Sequence, residues 1–174
     1  RLALKTRHLE ILYEVASYSN TTRNMTNLLA RYLGTIQNIL NAKAATVRMV
    51  TNNMQMRLVG QIGFDTDICH DEQSIPLERC LCAQNYSQRI HHCDESAKHC
   101  HCLLPVTLGK ESQLRTITIP LQYQERTLGI YHCFVSADAD EPSKEQDNLI
   151  TNITQHLSLA IEKERIEDEA KRVS

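Results

Sequence analysis

The chain has 174 residues, enough for one domain that buries most of its surface on folding. Its 19 Lys and Arg nearly balance its 21 Asp and Glu, and the net charge of -2 favours neither a basic nucleic-acid face nor an acidic disordered tail. Apolar runs are far shorter than the ~20 residues that cross a bilayer, and no signal segment opens the chain.

Helical spacing of apolar residues predicts an N-terminal linker helix over residues 1–19. Because this pattern is already present at Arg1, without an initiator methionine, we expect the chain to be a piece of a longer protein. The apolar stripe of the helix comprises Leu2, Leu9, Leu12 and Ala16, with Ile11 and Val15 beside them.

A second helix is predicted after a polar break at residues 19–22, whose Ser, Asn and Thr side chains are candidate N-caps. A broad apolar face marks this helix. It comprises Met25, Leu28, Leu29, Tyr32, Leu33, Ile36, Ile39 and Leu40.

A β-hairpin is predicted next, because residues 44–51 are rich in β-branched side chains and Asn52-Asn53 is a typical turn sequence. Residues 54–62 alternate between apolar and polar side chains and form its second strand. Pro76 then predicts the first turn of a third helix, which residues 77–87 continue. Residues 88–112 lack periodicity and are predicted to form a long Cys/His-rich loop.

A second hairpin is predicted from residues 114–123 and 127–136, which are rich in Ile, Thr and Val. His132 in this hairpin is either a hydrogen-bonded core histidine or faces a ligand pocket under the sheet. Cys133, inside a predicted strand next to Phe134 and Val135, is predicted to be a core residue.

The last helix is predicted to begin at a capping box formed by Ser143 and Gln146. Its buried face comprises Leu149, Ile150, Ile153, Leu157, Ala160 and Ile161. Residues 162–174 are predicted to leave the domain as an exit coiled-coil helix, with a solvated charged face and a sparse apolar stripe. This stripe comprises Leu159, Ile166, Ala170 and Val173.

The order of these elements predicts an α+β fold, in which an antiparallel sheet is flanked by N- and C-terminal helices. The domain proper is assigned to residues 20–161, between the linker helix and the exit helix. Since nothing else in the pattern covers the two terminal stripes, we expect a homodimer through these helices.

Six of the seven cysteines fall between Cys69 and Cys102, together with five of the eight histidines. Mixtures of thiol and imidazole side chains are typical of soft-metal sites, although the spacing matches no standard zinc or ferredoxin pattern. Reduced thiols, a zinc or iron-sulfur site, and disulfides or reactive thiols all remain open. The candidate metal ligands are Cys80, Cys82, Cys93, Cys100 and Cys102.

Two segments resemble GAF domains, a class of small sensory modules. Residues 118–130, with the sequence TIPLQYQERTLGI, look like the closing hairpin of that fold, and Ile75-Pro76-Leu77 looks like its middle motif. Four stretches resemble, more narrowly, the central region of bacterial nitrate/nitrite sensor histidine kinases: TRHLEILYEV (6–15), AATVR (44–48), IPLERCLC (75–82) and AIEKER (160–165).

This resemblance implies a cytoplasmic segment of an inner-membrane two-component receptor, between a membrane-proximal linker and a kinase module that signals to a response regulator. ATP would bind only that kinase module, since the chain contains no phosphoacceptor motif and no glycine-rich ATP lid. The cysteine-rich segment of this family corresponds to the five candidate cysteines. The fragment is therefore expected to be a relay and not an enzyme. The alternative is a stand-alone GAF enzyme that uses cysteines, such as a free methionine sulfoxide reductase.

Overall fold

The computed structural model describes residues 7–15, 24–64, 74–79, 91–93 and 114–173. Residues 7–15 are helical (α1). The elements that follow are α2 Met25–Leu40, β1 Ala44–Val50, β2 Gln55–Ile62, β3 Ser74–Pro76, a 3-10 turn Leu77–Arg79, β4 His91–Cys93, β5 Leu114–Tyr123, β6 Arg126–Ser136 and α3 Lys144–Val173.

The strands form one antiparallel six-stranded sheet in the order β3-β2-β1-β6-β5-β4. The predicted α+β architecture, both hairpins and the two long helices are confirmed. None of the helices within the described ranges is both long and apolar enough to span a membrane.

The main core lies between one face of the sheet and the helices. Seven side chains of α2 are buried there, and all seven are members of the predicted apolar face, whose residues recur at helical spacing. The helix approaches β2 closely because Gly60 has no side chain, since a Cβ there would lie 3.1 Å from Val47 and 3.4 Å from Leu33. Ile11 and Val15 bring α1 into the same core.

The linker helix packs on the domain through one side of its predicted apolar stripe. Ile11 and Val15 are buried, whereas Leu9 is 68% exposed, as expected of a residue that the domain does not cover. The residues that pack on the domain are therefore four apart on one side of the helix, and Leu9 points away from them. Leu2 and Ala16 lie outside the described residues.

Local hydrogen bonds explain where the helices begin. Asn24, and not the predicted residues 19–22, caps α2, because its side chain accepts a hydrogen bond from the Asn27 amide at 3.3 Å. The predicted capping box at α3 is confirmed, with Ser143 N to Gln146 Oε1 at 2.8 Å and Gln146 N to Ser143 Oγ at 3.1 Å.

Three other predictions are wrong. Ser74–Pro76 is an edge strand paired with β2, and Leu77–Arg79 is a 3-10 turn, so Pro76 ends a strand and does not begin a helix. Residues 80–87 lie outside the described residues. His91–Cys93, in the predicted irregular loop, pairs with β5 as β4. The strict alternation in β2 fails at a bulge, where Val47 and Arg48 of β1 pair with Gly60 and Leu58, and this places Met56 and Ile62 on opposite faces.

The core assignment predicts a large difference between two helical positions. Ile36→Ala should lower the free energy of unfolding by about 2–5 kcal/mol, because Ile36 is completely buried between α2 and the sheet and its removal leaves a cavity. Lys163→Ala, on an exposed face of α3, should change it by less than about 0.5 kcal/mol. Urea denaturation of both variants measures the difference, and equal effects would contradict the core described above.

Candidate functional site

The second face of the sheet, opposite the helices, carries buried polar side chains. Neighbouring residues on a strand point to opposite faces, so Val47 of β1 packs in the helical core while Thr46 and Arg48 lie on the other side. In β6, Cys133 belongs to the helical core and His132 to the second face. Because β1 and β6 are central strands, these polar groups lie in the middle of the sheet.

Strand register aligns four of these residues directly across the sheet. Thr46 is the partner of Gln61 on β2 and of His132 on β6, and His132 is in turn the partner of Thr118 on β5. We call Gln61, Thr46, His132 and Thr118 the polar row. Thr46, His132 and Thr118 are each at most 2% exposed. On β4, His91 occupies the next register position, beside Thr118.

Small apolar clusters border the polar row on both sides. Met56, Ile75 and Ile130 form one cluster towards the β1–β2 turn. Phe134 and Ala44 form the other, where Phe64 packs edge-on against Phe134 with ring centroids 6.0 Å apart. The row is therefore a strip of hydrogen-bonding groups within an otherwise apolar surface.

Arg48 lies one step further along β1, in register with Ile130 and completely buried. A buried guanidinium is costly unless it is hydrogen-bonded and its charge is compensated. Arg48 does take part in polar interactions, as do Gln61, His132 and Thr118. Oγ1 of Thr46, in contrast, is buried without a hydrogen-bond partner among the described residues.

This combination of groups is suited to holding a small polar molecule. Small-molecule sites are mostly apolar and contain a few convergent polar groups that fix orientation. Hydroxyl, imidazole, amide and guanidinium groups together supply both donors and acceptors. The second face is therefore the candidate site for ligand recognition, and no acid–base or nucleophilic constellation accompanies it among the described residues.

Of the residues on this face, only His132 was a candidate from the sequence, where a position facing a ligand pocket was one of two interpretations. Thr46, Arg48 and Thr118 were missed because β-branched and polar residues in strands are ordinary on a solvated face. The available signal was Arg48, a charged residue in the middle of the otherwise uncharged strand AATVRMV.

The predicted metal ligands remain untested by the structure. Cys80, Cys82, Cys100 and Cys102 lie outside the described residues. Only the backbone of Cys93 is described, at the register position beside Thr116 on β5. Within the described ranges, no group of three His, Cys, Asp or Glu residues could hold a metal ion.

Cys133 is a core residue, as predicted. Its thiol is completely buried on the helical side of the sheet, and burial raises the pKa of this thiol to about 12. The thiol therefore remains protonated at neutral pH and is unsuited to act as a nucleophile or a metal ligand.

Comparison with known proteins identifies the fold. Neither a family model nor a curated relative matches the sequence. Among solved structures, the GAF domain of a phosphoenolpyruvate-protein phosphotransferase from Coxiella burnetii superposes with a TM-score of 0.68 at 16% identity, covering 93% of this chain and 96% of that chain. The GAF domain of a putative sensor histidine kinase from Pseudomonas syringae pv. tomato gives 0.67 at 10% identity, covering 98% and 95%.

A third similar structure is an enzyme. Free methionine-R-sulfoxide reductase from Neisseria meningitidis, solved in complex with its substrate, gives a TM-score of 0.64 at 16% identity and covers 92% of this chain and 91% of that chain. At these identities the three structures establish a GAF-like fold for this chain. They do not distinguish a sensory module from an enzyme.

The unpartnered hydroxyl in the polar row leads to a prediction. Thr46→Val should be neutral or stabilise the chain by up to about 1 kcal/mol, because it removes a buried hydroxyl that has no partner and preserves the side-chain shape. Thr118→Val, at a buried threonine that has a polar interaction, should destabilise it by about 1–2 kcal/mol. Thermal denaturation distinguishes the two, and a loss above 1 kcal/mol for Thr46→Val would show that its hydroxyl is hydrogen-bonded.

Proposed function

We propose that this chain is the sensory and signal-transmitting module of a membrane-bound nitrate/nitrite sensor histidine kinase. The observation that supports this most directly is the 30-residue helix α3, which packs in the core as far as Ile161 and then continues as a largely exposed helix. The last side chain of α3 in the main core is Ile161, and residues 163–173 are exposed apart from half-buried Glu164. Such a helix is suited to passing a change in the domain to a following module.

The outer surface of α3 supports a homodimer. Leu159, Ile166 and Val173 are exposed and spaced seven residues apart, which is the repeat of a coiled-coil seam. On α1, exposed Leu9 and Tyr13 are four residues apart and extend the apolar surface available to a second copy. In this proposal two copies associate in parallel through their terminal helices, as paired kinase modules require.

The remaining parts of the proposal follow from the sequence resemblance. Residues 1–19 would connect the domain to a membrane-proximal linker, and residues 162–174 would lead to the kinase module that binds ATP and signals to a response regulator. The chain would lie on the cytoplasmic side of the inner membrane, with no role in nucleic-acid binding. The GAF-domain structure from a putative sensor histidine kinase is consistent with this arrangement.

The five candidate cysteines would supply a second input. A zinc ion or iron-sulfur cluster held by Cys80, Cys82, Cys93, Cys100 and Cys102, or reversible thiol oxidation, would modulate the relayed signal. The backbone position of Cys93 beside Thr116 supports a connection to the candidate site, because Thr116 is on the strand that carries Thr118. Measuring metal content and signalling in a variant with these five residues replaced by serine tests this input.

The enzyme alternative has one observation in its favour, the similarity to a free methionine-R-sulfoxide reductase. Cys133 cannot serve such a reaction because it is buried and protonated, so the other six cysteines would have to supply the nucleophile. Thiol-dependent reduction of free methionine sulfoxide by the purified chain, lost in the five-serine variant, would establish the enzyme.

Site-specific photo-crosslinking in the full-length receptor tests the relay proposal. A benzophenone side chain in place of Ile166 or Val173 should give covalent dimers, because both positions lie on the proposed seam. The same group in place of exposed Glu167, one residue away from the seam, is the matched control and should give few. The absence of covalent dimers at positions 166 and 173 would contradict pairing through α3. Equal dimer yields at positions 166, 167 and 173 would also contradict it.

A further inference from the structure

One buried carboxylate fastens α3 to the domain at the point where the helix changes from core-packed to largely exposed. The side chain of Glu162 is only 6% exposed, although it opens a charged segment that was predicted to be solvated. That prediction is wrong for Glu162 because two arginines cover it. Oε2 accepts a hydrogen bond from Arg126 Nη2 at 2.5 Å, and Oε1 accepts one from Arg165 Nη2 at 2.7 Å.

The two arginines reach the carboxylate from different elements. Arg165 is one turn further along α3, and its Nε also lies 3.2 Å from each oxygen of Glu162. Arg126 is the first residue of β6. Hydrogen bonds between charged groups are roughly twice as strong as neutral ones. We call Arg126, Glu162 and Arg165 the Glu162 cluster.

The electrostatics of the cluster agree with this geometry. Hydrogen bonding to Arg165 lowers the pKa of the Glu162 carboxyl, and the contact with Arg126 lowers it further, while burial acts in the opposite direction. The carboxylate is therefore ionised at neutral pH. Its contribution to stability is present above the ordinary carboxyl pKa of ~4.3 and is lost as the pH falls through its lowered folded-state value.

The strand that supplies Arg126 also supplies the candidate site. Arg126 follows a tight turn at Gln124-Glu125 and pairs with Tyr123, so it lies at the tip of the β5–β6 hairpin. His132 of the polar row is six residues further along β6, on the order of 20 Å away. Thr118 faces His132 from β5 in the same hairpin. One hairpin thus contains half of the polar row in its middle and the partner of Glu162 at its tip.

A second carboxylate lies beside the domain on the other side of the helix. Glu164 is half-buried and lines one cavity together with Met25, the first residue of α2. Since Glu162 and Glu164 are two residues apart on a helix, they point in nearly opposite directions. The start of the exit segment therefore lies between the β5–β6 hairpin and the N-terminus of α2.

We propose that the Glu162 cluster is the contact through which the β5–β6 hairpin sets the position of the exit helix. A shift of the hairpin moves Arg126 relative to Glu162, and the buried carboxylate then either moves with it or loses one of its two charge partners. The helix responds because an uncompensated buried charge is unfavourable. The signalling role of this contact rests on the proposed relay function. Its role in holding α3 to the hairpin is independent of that function.

Amide hydrogen exchange in the 174-residue chain tests the contact. In Glu162→Gln and in Arg126→Ala, amides of residues 163–169 should exchange about tenfold faster or more, because the exit segment opens locally when its buried fastening is lost. Glu169→Gln is the matched control, since Glu169 pairs with the same Arg165 at 2.9 Å but is 66% exposed. It should change the same amides by about twofold or less. Amides of β6 should retain their protection in all three variants.

Two results would overturn the proposal. Equal acceleration in Glu162→Gln and Glu169→Gln would show that Glu162 has no special role. Acceleration in Glu162→Gln together with an unchanged Arg126→Ala would show that the pair with Arg165 within α3 protects this segment and that the hairpin does not hold it. If Glu162→Gln does not fold, Arg126→Ala decides the question, because Arg126 is half-exposed at a hairpin tip. This measurement involves neither nitrate nor kinase output. The exchange result is therefore independent of whether the proposed relay function is correct.

Discussion

The burial of β1 and β6 on both faces of the sheet is the constraint on which the rest of this structure depends. Residues 44–48 of β1 and residues 127–135 of β6 are all buried. One face of these strands must be largely apolar, because α2 and α3 pack on it, and the Val47 side chain and the Tyr131 ring meet that requirement. The other face carries Arg48 and His132, whose burial requires polar interactions that offset the loss of hydration, together with Thr46. A central sheet with one apolar and one partly polar buried face provides a rigid support, and the partly polar face is the candidate site for ligand recognition.

The burial of β6 on both faces also explains how a change on the second face could reach the exit helix α3. A strand that is buried on both sides and hydrogen-bonded to both neighbours does not bend freely, so β6 is displaced as a unit. Its first residue, Arg126, is half-exposed and contacts Glu162 on α3. The helix is covered by the domain up to Ile161 and is largely exposed beyond Glu162. The cluster therefore lies at the boundary between the core-packed and the solvated parts of α3, where a small displacement has the greatest effect on the direction of the exit segment.

The sequence predicted the elements whose patterns are long, because periodicity needs several turns or several alternations to emerge. Helix α2, both hairpins and the capping box at Ser143 belong to this class. The three-residue strands β3 and β4 are too short for any alternation, and the bulge in β2 depends on pairing between strands. Polar residues on the second face resembled those of a solvated strand, and Glu162 resembled its charged neighbours on α3. Their burial depends on contacts with residues distant in the chain, such as Arg126, which no local pattern encodes.

The central claim is that the β5–β6 hairpin connects the polar row to the exit helix. The NMR chemical shifts of the amides of residues 163–169 test this connection. The polar row is altered by Thr118→Val, which replaces a side chain of β5 by one of similar shape. Thr35→Val on α2 makes the same replacement outside the row and is the control. We expect Thr118→Val to shift these amides when Arg126 is present and to leave them unchanged in the Arg126→Ala background, while Thr35→Val shifts them in neither. Identical shifts with and without Arg126, or no shift in either, would contradict the claim.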